Sequence, residues 1–224
     1  MRKAGSHLSE TNEGRWLILA AWPPELARLR AGLPKLPARV RRKMTLAAVG
    51  VGLVEAGIGA TRLLIEQRPT AVLLVGSAGV YPGFGQEFPP AGAAVVDKIR
   101  LLPEILPGKH AILPAIVPAE AKSSPPLVRA LCKASGLPRS AVACPLAITA
   151  STRAAAAAAK LSGCALENLE AFAVARAAAA AGVPFAAVLG IANHVGPQGH
   201  REWKLNAARA AAAACDAVLA LLGR

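Results

Sequence analysis

Apolar positions along the chain fall into short unbroken blocks, separated by longer segments of mixed character. Residues 16–21, Trp-Leu-Ile-Leu-Ala-Ala, form a continuous apolar run, the pattern of a strand buried on both faces. The run stops at Trp22-Pro23-Pro24-Glu25. Proline cannot continue a central strand but suits the first turn of a helix, so a helix is expected from Glu25 to about Arg30. Residues 44–51 read as the next strand, ending in Gly50-Val51-Gly52 ahead of a helix over Leu53–Gln67 that Pro69 closes. Glycines at such a junction let the backbone approach a ligand with free amides at the helix start. Residues 71–75 are a further buried strand, finishing in Gly76-Ser77-Ala78-Gly79.

The second half continues the alternation. Residues 93–96 predict a strand, the proline-punctuated stretch 102–126 reads mostly as loop, and a helix should start at Ser124. A strand is expected over 144–149, a helix over 154–161, and another helix over 170–181 that Gly182-Val183-Pro184 ends. Residues 185–191 form the last expected strand, and 206–222 a final helix closed by Gly223. Strands alternating with helices predict a three-layer α/β arrangement.

Composition narrows the class. Of 224 residues, 54% are hydrophobic and 17% charged, enough apolar mass for a large core and for a subunit face. No low-complexity linker divides the chain, so one domain is expected over 15–224, preceded by a polar arm at 1–14. A net charge of +13 invites a nucleic-acid partner, and residues 1–43 hold ten basic side chains against three acidic ones, but no aromatic residue interleaves the cluster Arg39–Lys43 as a platform on which bases could stack. Nucleic acid is therefore not expected. Four scattered cysteines lack metal-ligand spacing, so neither a metal, a cofactor nor a disulfide framework is expected, and a reducing cytoplasm fits. The start of the chain lacks the apolar run of a signal peptide, and Glu55, Arg62 and Asp216 interrupt the longer apolar regions, so no membrane association is expected.

Two polar islands stand out in this apolar background, Glu167-Asn168-Leu169-Glu170 and Ala192-Asn193-His194. A carboxylate at a helix start beside a strand end is where an α/β protein can hold a small polar ligand. An acid in so apolar a segment is costly to bury without partners, which favours a binding role for Glu170. Taken alone, Glu25 reads as an exposed first-turn glutamate, Asn193 as a turn residue, and His194 and His200 as loop residues.

In their order and spacing, four landmarks resemble the purine nucleoside phosphorylase and nucleosidase superfamily from Trp16 onward. These are the strand followed by Glu25, the Gly50-Val51-Gly52 helix start, Gly76-Ser77-Ala78-Gly79, and Glu167-Asn168-Leu169-Glu170 followed by Ile191-Ala192-Asn193. The segment Asn193-His-Val-Gly-Pro-Gln-Gly-His-Arg-Glu-Trp203 is similar to the futalosine hydrolase branch. The methylthioadenosine and adenosylhomocysteine nucleosidases carry aspartate where Asn193 stands.

The resemblance implies a three-layer α/β/α fold with a central mixed sheet and a homodimer or larger homo-oligomer. It also implies hydrolysis of the N-glycosidic bond of a purine nucleoside, with futalosine, from menaquinone biosynthesis, as the specific expectation. A methylthioadenosine or adenosylhomocysteine nucleosidase, or a nucleoside-binding protein without turnover, are the alternatives. By resemblance, Glu25 activates the attacking water and Asn193 supports the departing base. Glu170 holds the ribose hydroxyls, and Asn168, Leu169, Ser77, Ala78 and Gly79 line the sugar and base pocket. Phosphorylases of this superfamily carry an arginine where Leu74 stands, so water is the expected nucleophile.

Overall fold

The computed structural model describes residues 14–103 and 113–223, so nearly all of the expected arm and part of the 102–126 stretch lie outside the described residues. Strand β1 (Trp16–Ala20) is followed by a 3-10 turn over Pro23–Leu26, and then by α1 (Ala27–Gly32) and the short α2 (Ala38–Arg41). Next come β2 (Met44–Ala48), α3 (Leu53–Gln67), β3 (Ala71–Val80), β4 (Ala93–Leu102) and β5 (Glu120–Lys122). The chain continues through α4 (Pro125–Ser135), β6 (Arg139–Pro145), α5 (Thr152–Ser162), β7 (Leu166–Glu167), α6 (Ala171–Ala180), β8 (Phe185–His194) and α7 (Gly199–Leu222).

These strands form one eight-stranded sheet in the order β2-β1-β3-β7-β6-β4-β5, with β8 bridging β3 and β4. The pairings β3–β8, β8–β4, β4–β6, β6–β7 and β7–β3 close on themselves, so the second part of the sheet curls into a ring. Most neighbours run parallel, while β7 runs antiparallel to β3, and β4 antiparallel to β5 and β8. This is the mixed sheet that the resemblance implies.

Period-two alternation assigns each strand's side chains to two cores. Leu17 and Leu19 of β1 pack with Val72 and Leu74 of β3 under α3 and α6, whereas Trp16, Ile18 and Ala20 pack with Leu73 and Val75 under α1, α4 and α7. Both faces being covered explains why these strands read as unbroken apolar runs. Helix α7 is apolar and long enough to cross a membrane by length and composition alone. Its Ala210, Ala211, Ala214, Cys215, Val218 and Leu222 are buried, as in a core helix.

The structure corrects several element bounds. The strand expected to stop before Gly76 runs on to Val80, because β8 pairs with it through the glycines and β7 joins at Gly79 and Val80. The strand expected over 144–149 is displaced to Arg139–Pro145, and Pro145 ends it. The last strand extends to His194 and α7 begins at Gly199, so Asn193 lies in a strand and His200 in a helix rather than in loops.

Candidate active site

Each strand end delivers one part of the site. Strand β1 stops at Ala20, and the Pro23-Pro24 turn folds the chain back so that the buried Glu25 side chain reaches the Ala21 amide left unpaired beyond the strand, Ala21 N donating to Oε2 at 3.1 Å. The other oxygen, Oε1, accepts from the Ser77 amide at 3.1 Å and from the Ser77 hydroxyl at 3.2 Å. From α7, the Cys215 thiol donates to the Glu25 carbonyl at 3.2 Å and pins the turn from behind.

The Ser77 hydroxyl in turn accepts from the indole N–H of Trp203 in α7 at 3.0 Å. The Ser77 carbonyl accepts from Asn168 Nδ2 at 3.0 Å. Ser77 therefore joins Glu25 to the loop that enters α6. In that loop Asn168 Oδ1 accepts from the Glu170 and Ala171 amides at 3.0 and 2.8 Å, satisfying donors that α6 would otherwise leave open at its start. Because Asn168 does the capping, the Glu170 carboxylate is free to face the hollow. It accepts from Asn168 Nδ2 at 3.0 Å and from the Gly52 amide at 2.9 Å. Gly52 has φ 86°, a backbone region that an L side chain rarely adopts, so the turn entering α3 depends on glycine there.

A cavity of about 250 Å³ opens over these groups. All eight residues singled out from the sequence line it: Glu25, Ser77, Ala78, Gly79, Asn168, Leu169, Glu170 and Asn193. Gly79 makes room for Asn193, since a Cβ there would stand 2.9 Å from the Asn193 amide nitrogen and 2.7 Å from Val195 Cγ2. Asn193 Nδ2 donates to the His194 carbonyl at 2.9 Å, which fixes the amide at the end of β8. Glu55, on the first turn of α3, is exposed and does not line the cavity, consistent with a helix-face charge.

Sequence reasoning left out several lining residues: Trp22, Val51, Ile148, Glu167, His200 and Trp203. Trp22 and Trp203 approach with ring centroids 6.1 Å apart, and the His200 ring lies parallel to Trp203 at 6.1 Å, so one wall is aromatic. The signal was present, because two of the chain's three tryptophans flank the landmarks around Glu25 and Asn193. His194, in contrast, is exposed and turns to the half-buried Glu202, with Nδ1 to Oε2 at 3.1 Å.

Electrostatics distinguish the two central acids from surface carboxylates. Burial pushes the Glu25 carboxyl from the ordinary 4.5 up to about 7, and the neighbouring Glu170 charge adds to the rise against the opposing hydrogen bonds from Trp22, Ser77 and Ala21. Burial also raises Glu170, opposed by the donors from Gly52 and Asn168. A carboxyl titrating near neutrality, held by three hydrogen bonds beside a hollow, is suited to accept a proton from water or another weak acid. No lysine or arginine lines the cavity among the described residues.

The chain belongs to the phosphorylase superfamily, whose family model matches residues 17–223. Among solved structures it is similar to the 5′-methylthioadenosine/S-adenosylhomocysteine nucleosidase of Neisseria meningitidis in complex with methylthio-immucillin-A, with TM-score 0.81, 17% identity, and coverage of 93% of this chain and 98% of that one. Futalosine hydrolase of Helicobacter pylori matches with TM-score 0.80 and 13% identity over 92% of this chain and 96% of that one. The 5′-methylthioadenosine/S-adenosylhomocysteine nucleosidase of Colwellia psychrerythraea, in complex with adenine, matches with TM-score 0.80 and 19% identity over 94% and 95% of the two chains. No curated protein sequence matches the chain.

Proposed function

We propose that this protein is a nucleosidase that hydrolyses the N-glycosidic bond of a purine nucleoside, futalosine being the specific substrate favoured by the resemblance. The observation that carries the reading is the hydrogen-bonded path from Glu25 through Ser77 and Asn168 to Glu170, which sets two buried acids around one hollow.

In this reading the Glu170 carboxylate accepts the ribose 2′ and 3′ hydroxyls, for which its two oxygens offer paired geometry. Glu25 orients a water and takes its proton as the water oxygen bonds to C1′. The C1′–N9 bond breaks, its electron pair passes to the base, and the Asn193 amide donates to the base edge that gains electron density. The sugar carries positive charge in that transition state, and the two acids supply the opposing field. Water is favoured over phosphate because no guanidinium or ammonium among the described residues lines the cavity to meet a dianion, and Leu74, where phosphorylases carry arginine, is buried in the core.

Incubating the purified protein with futalosine, inosine and methylthioadenosine, with and without phosphate, tests the reading by release of free base. Release from futalosine without phosphate is expected. Release that requires phosphate would make the protein a phosphorylase, and ligand-dependent thermal stabilisation without release would make it a binding protein. Preference for methylthioadenosine would favour the other nucleosidase class, the one to which two of the similar structures belong.

A homo-oligomer belongs to the same reading. Val54, Ile58 and Ile65 are 62–69% exposed on α3, and the equally open Val51 continues this apolar stripe to the cavity mouth. A second copy of the chain would cover that surface, so Ile58→Glu should reduce the molecular mass measured by light scattering to that of a monomer.

A further inference from the structure

The cavity holds a third buried acid, Glu167, to which the hydrolytic scheme assigns no task. Glu167 lies in β7 and is 7% exposed. Its Oε2 accepts from the Tyr81 hydroxyl at 2.8 Å and the Thr149 hydroxyl at 2.5 Å, and its Oε1 accepts from the Thr149 amide at 3.1 Å. These three donors prevent the carboxylate from turning away. Each carboxylate oxygen has two acceptor positions, so Oε1 retains capacity for a donor arriving from the cavity.

The sheet register places this acid across from Asn193. Gly79 of β3 pairs with Glu167 of β7 on one side and with Asn193 of β8 on the other. Glu167 and Asn193 are thus two strand spacings apart, about 10 Å between Cα atoms, and residues level with each other across a sheet share a face. Between them Gly79 contributes no side chain. One flank of the hollow presents an amide, the other an acceptor, and the floor between them is open to a flat bicyclic base.

We propose that Glu167 is the residue that selects the base, accepting the N1–H of a 6-oxopurine whose N7 and O6 edge faces Asn193. The proposal rests on reading the hollow as a nucleoside site. A 6-oxopurine carries a proton on N1, whereas a 6-aminopurine carries a lone pair there, which would be set against the lone pairs of the carboxylate. A buried acceptor left facing another acceptor rejects the wrong base strongly, because neither group finds a partner. A purely structural Glu167, tying Thr149 to the sheet, makes a different prediction: its loss would weaken every base alike.

The test is calorimetric titration of the wild-type protein and of Glu167→Gln with hypoxanthine, 1-methylhypoxanthine and adenine, beside base release from inosine and adenosine. Wild type should bind hypoxanthine about 10- to 100-fold more tightly than either of the others, and Glu167→Gln should reduce that preference to about threefold or less. An absence of preference in the wild type, an absence of binding by any base, or an unchanged preference in the variant would overturn the proposal. The comparison of ligands on the wild type needs no substitution, so an absence of preference there overturns the proposal even if the variant does not fold, and the loss of binding to 1-methylhypoxanthine reads the N1–H contact apart from the edge that faces Asn193. Base release judges the hydrolase reading separately. Selective binding without release would leave Glu167 in place and remove the hydrolysis, and release without base preference would do the reverse.

Discussion

The turn after β1 and the loop before α6 solve the same problem in different ways, and the contrast separates the acid that titrates near neutrality from the one that raises it. Both bring a glutamate into an apolar interior. Glu170 accepts from the Asn168 side-chain amide of its own loop and from the Gly52 backbone amide at the turn entering α3, and these donors fix the carboxylate's position. Glu25 accepts from the Ala21 amide of its own turn and from both donors of Ser77 in β3, yet burial and the Glu170 charge still lift it to about 7. Glu25 is therefore the acid poised to exchange a proton near neutral pH, and Glu170 is the fixed anion that helps to raise it.

The largest expected effect follows from that division. Glu25→Gln should lower kcat by about 10²- to 10⁴-fold, the usual contribution of a general base, with little change in nucleoside affinity. The same variant should be more stable than wild type in alkaline solution. The folded protein holds the Glu25 proton up to about pH 7, whereas the unfolded chain releases it near 4.5, so the contribution of this group is fully present below 4.5 and lost as pH rises through 7. The loss by pH 8 is on the order of 3 kcal/mol, and urea unfolding at pH 5 and pH 8 should show the variant gaining by about that much between them. In the wild type, kcat/KM should climb with pH through about 7 as Glu25 loses its proton.

Glu170→Ala should act on binding first, weakening nucleoside affinity by about 10- to 100-fold through the lost charge-assisted hydrogen bonds. It should also move the acid limb of the kcat/KM profile to lower pH, because the charge that helps to raise Glu25 is gone. Equal losses in affinity and turnover from Glu25→Gln and Glu170→Ala would erase the distinction between the two regions.

Much of the frame was legible in the chain because punctuation and burial agreed there. Gly52 before α3 and Pro69 after it mark a helix whose observed bounds, Leu53–Gln67, are those the sequence predicts. Buried parallel strands announce themselves as unbroken apolar runs, which located β1 and the first half of β3. Apart from the strand that Pro145 ends, the main misreadings share one cause: pairing partners distant in sequence. Gly76-Ser77-Ala78-Gly79 has the composition of a turn, but β8 and β7 hold it extended. The two residues of β7 are too few for any pattern and exist because β3 and β6 flank them. Glu167 went unassigned for the same reason, since its partners Tyr81 and Thr149 are remote and only the closed ring of strands brings them to it. Trp203 was part of the resemblance, but its contact with Ser77 depends on α7 starting at Gly199, ahead of the apolar segment that defines the helix in the sequence.

Trp203 allows the finest test of the contrast between the two acids. An indole N–H can only donate, so at 3.0 Å it commits the Ser77 oxygen to accepting from it and turns the Ser77 proton toward Glu25. The Glu170 side of the network reaches Ser77 only through its carbonyl and does not sense that hydroxyl. Trp203→Phe keeps an aromatic ring against Trp22 and His200 but removes the donor, leaving the Ser77 hydroxyl free to rotate. Since that hydroxyl opposes the rise of the Glu25 pKa, the acid limb of the kcat/KM profile should move slightly upward in pH, opposite to the shift from Glu170→Ala. Turnover should fall by about 3- to 10-fold, the value of one neutral hydrogen bond, with ribose affinity nearly unchanged. A profile that stays in place while affinity drops would mean that Trp203 serves the site as a wall and not through Ser77.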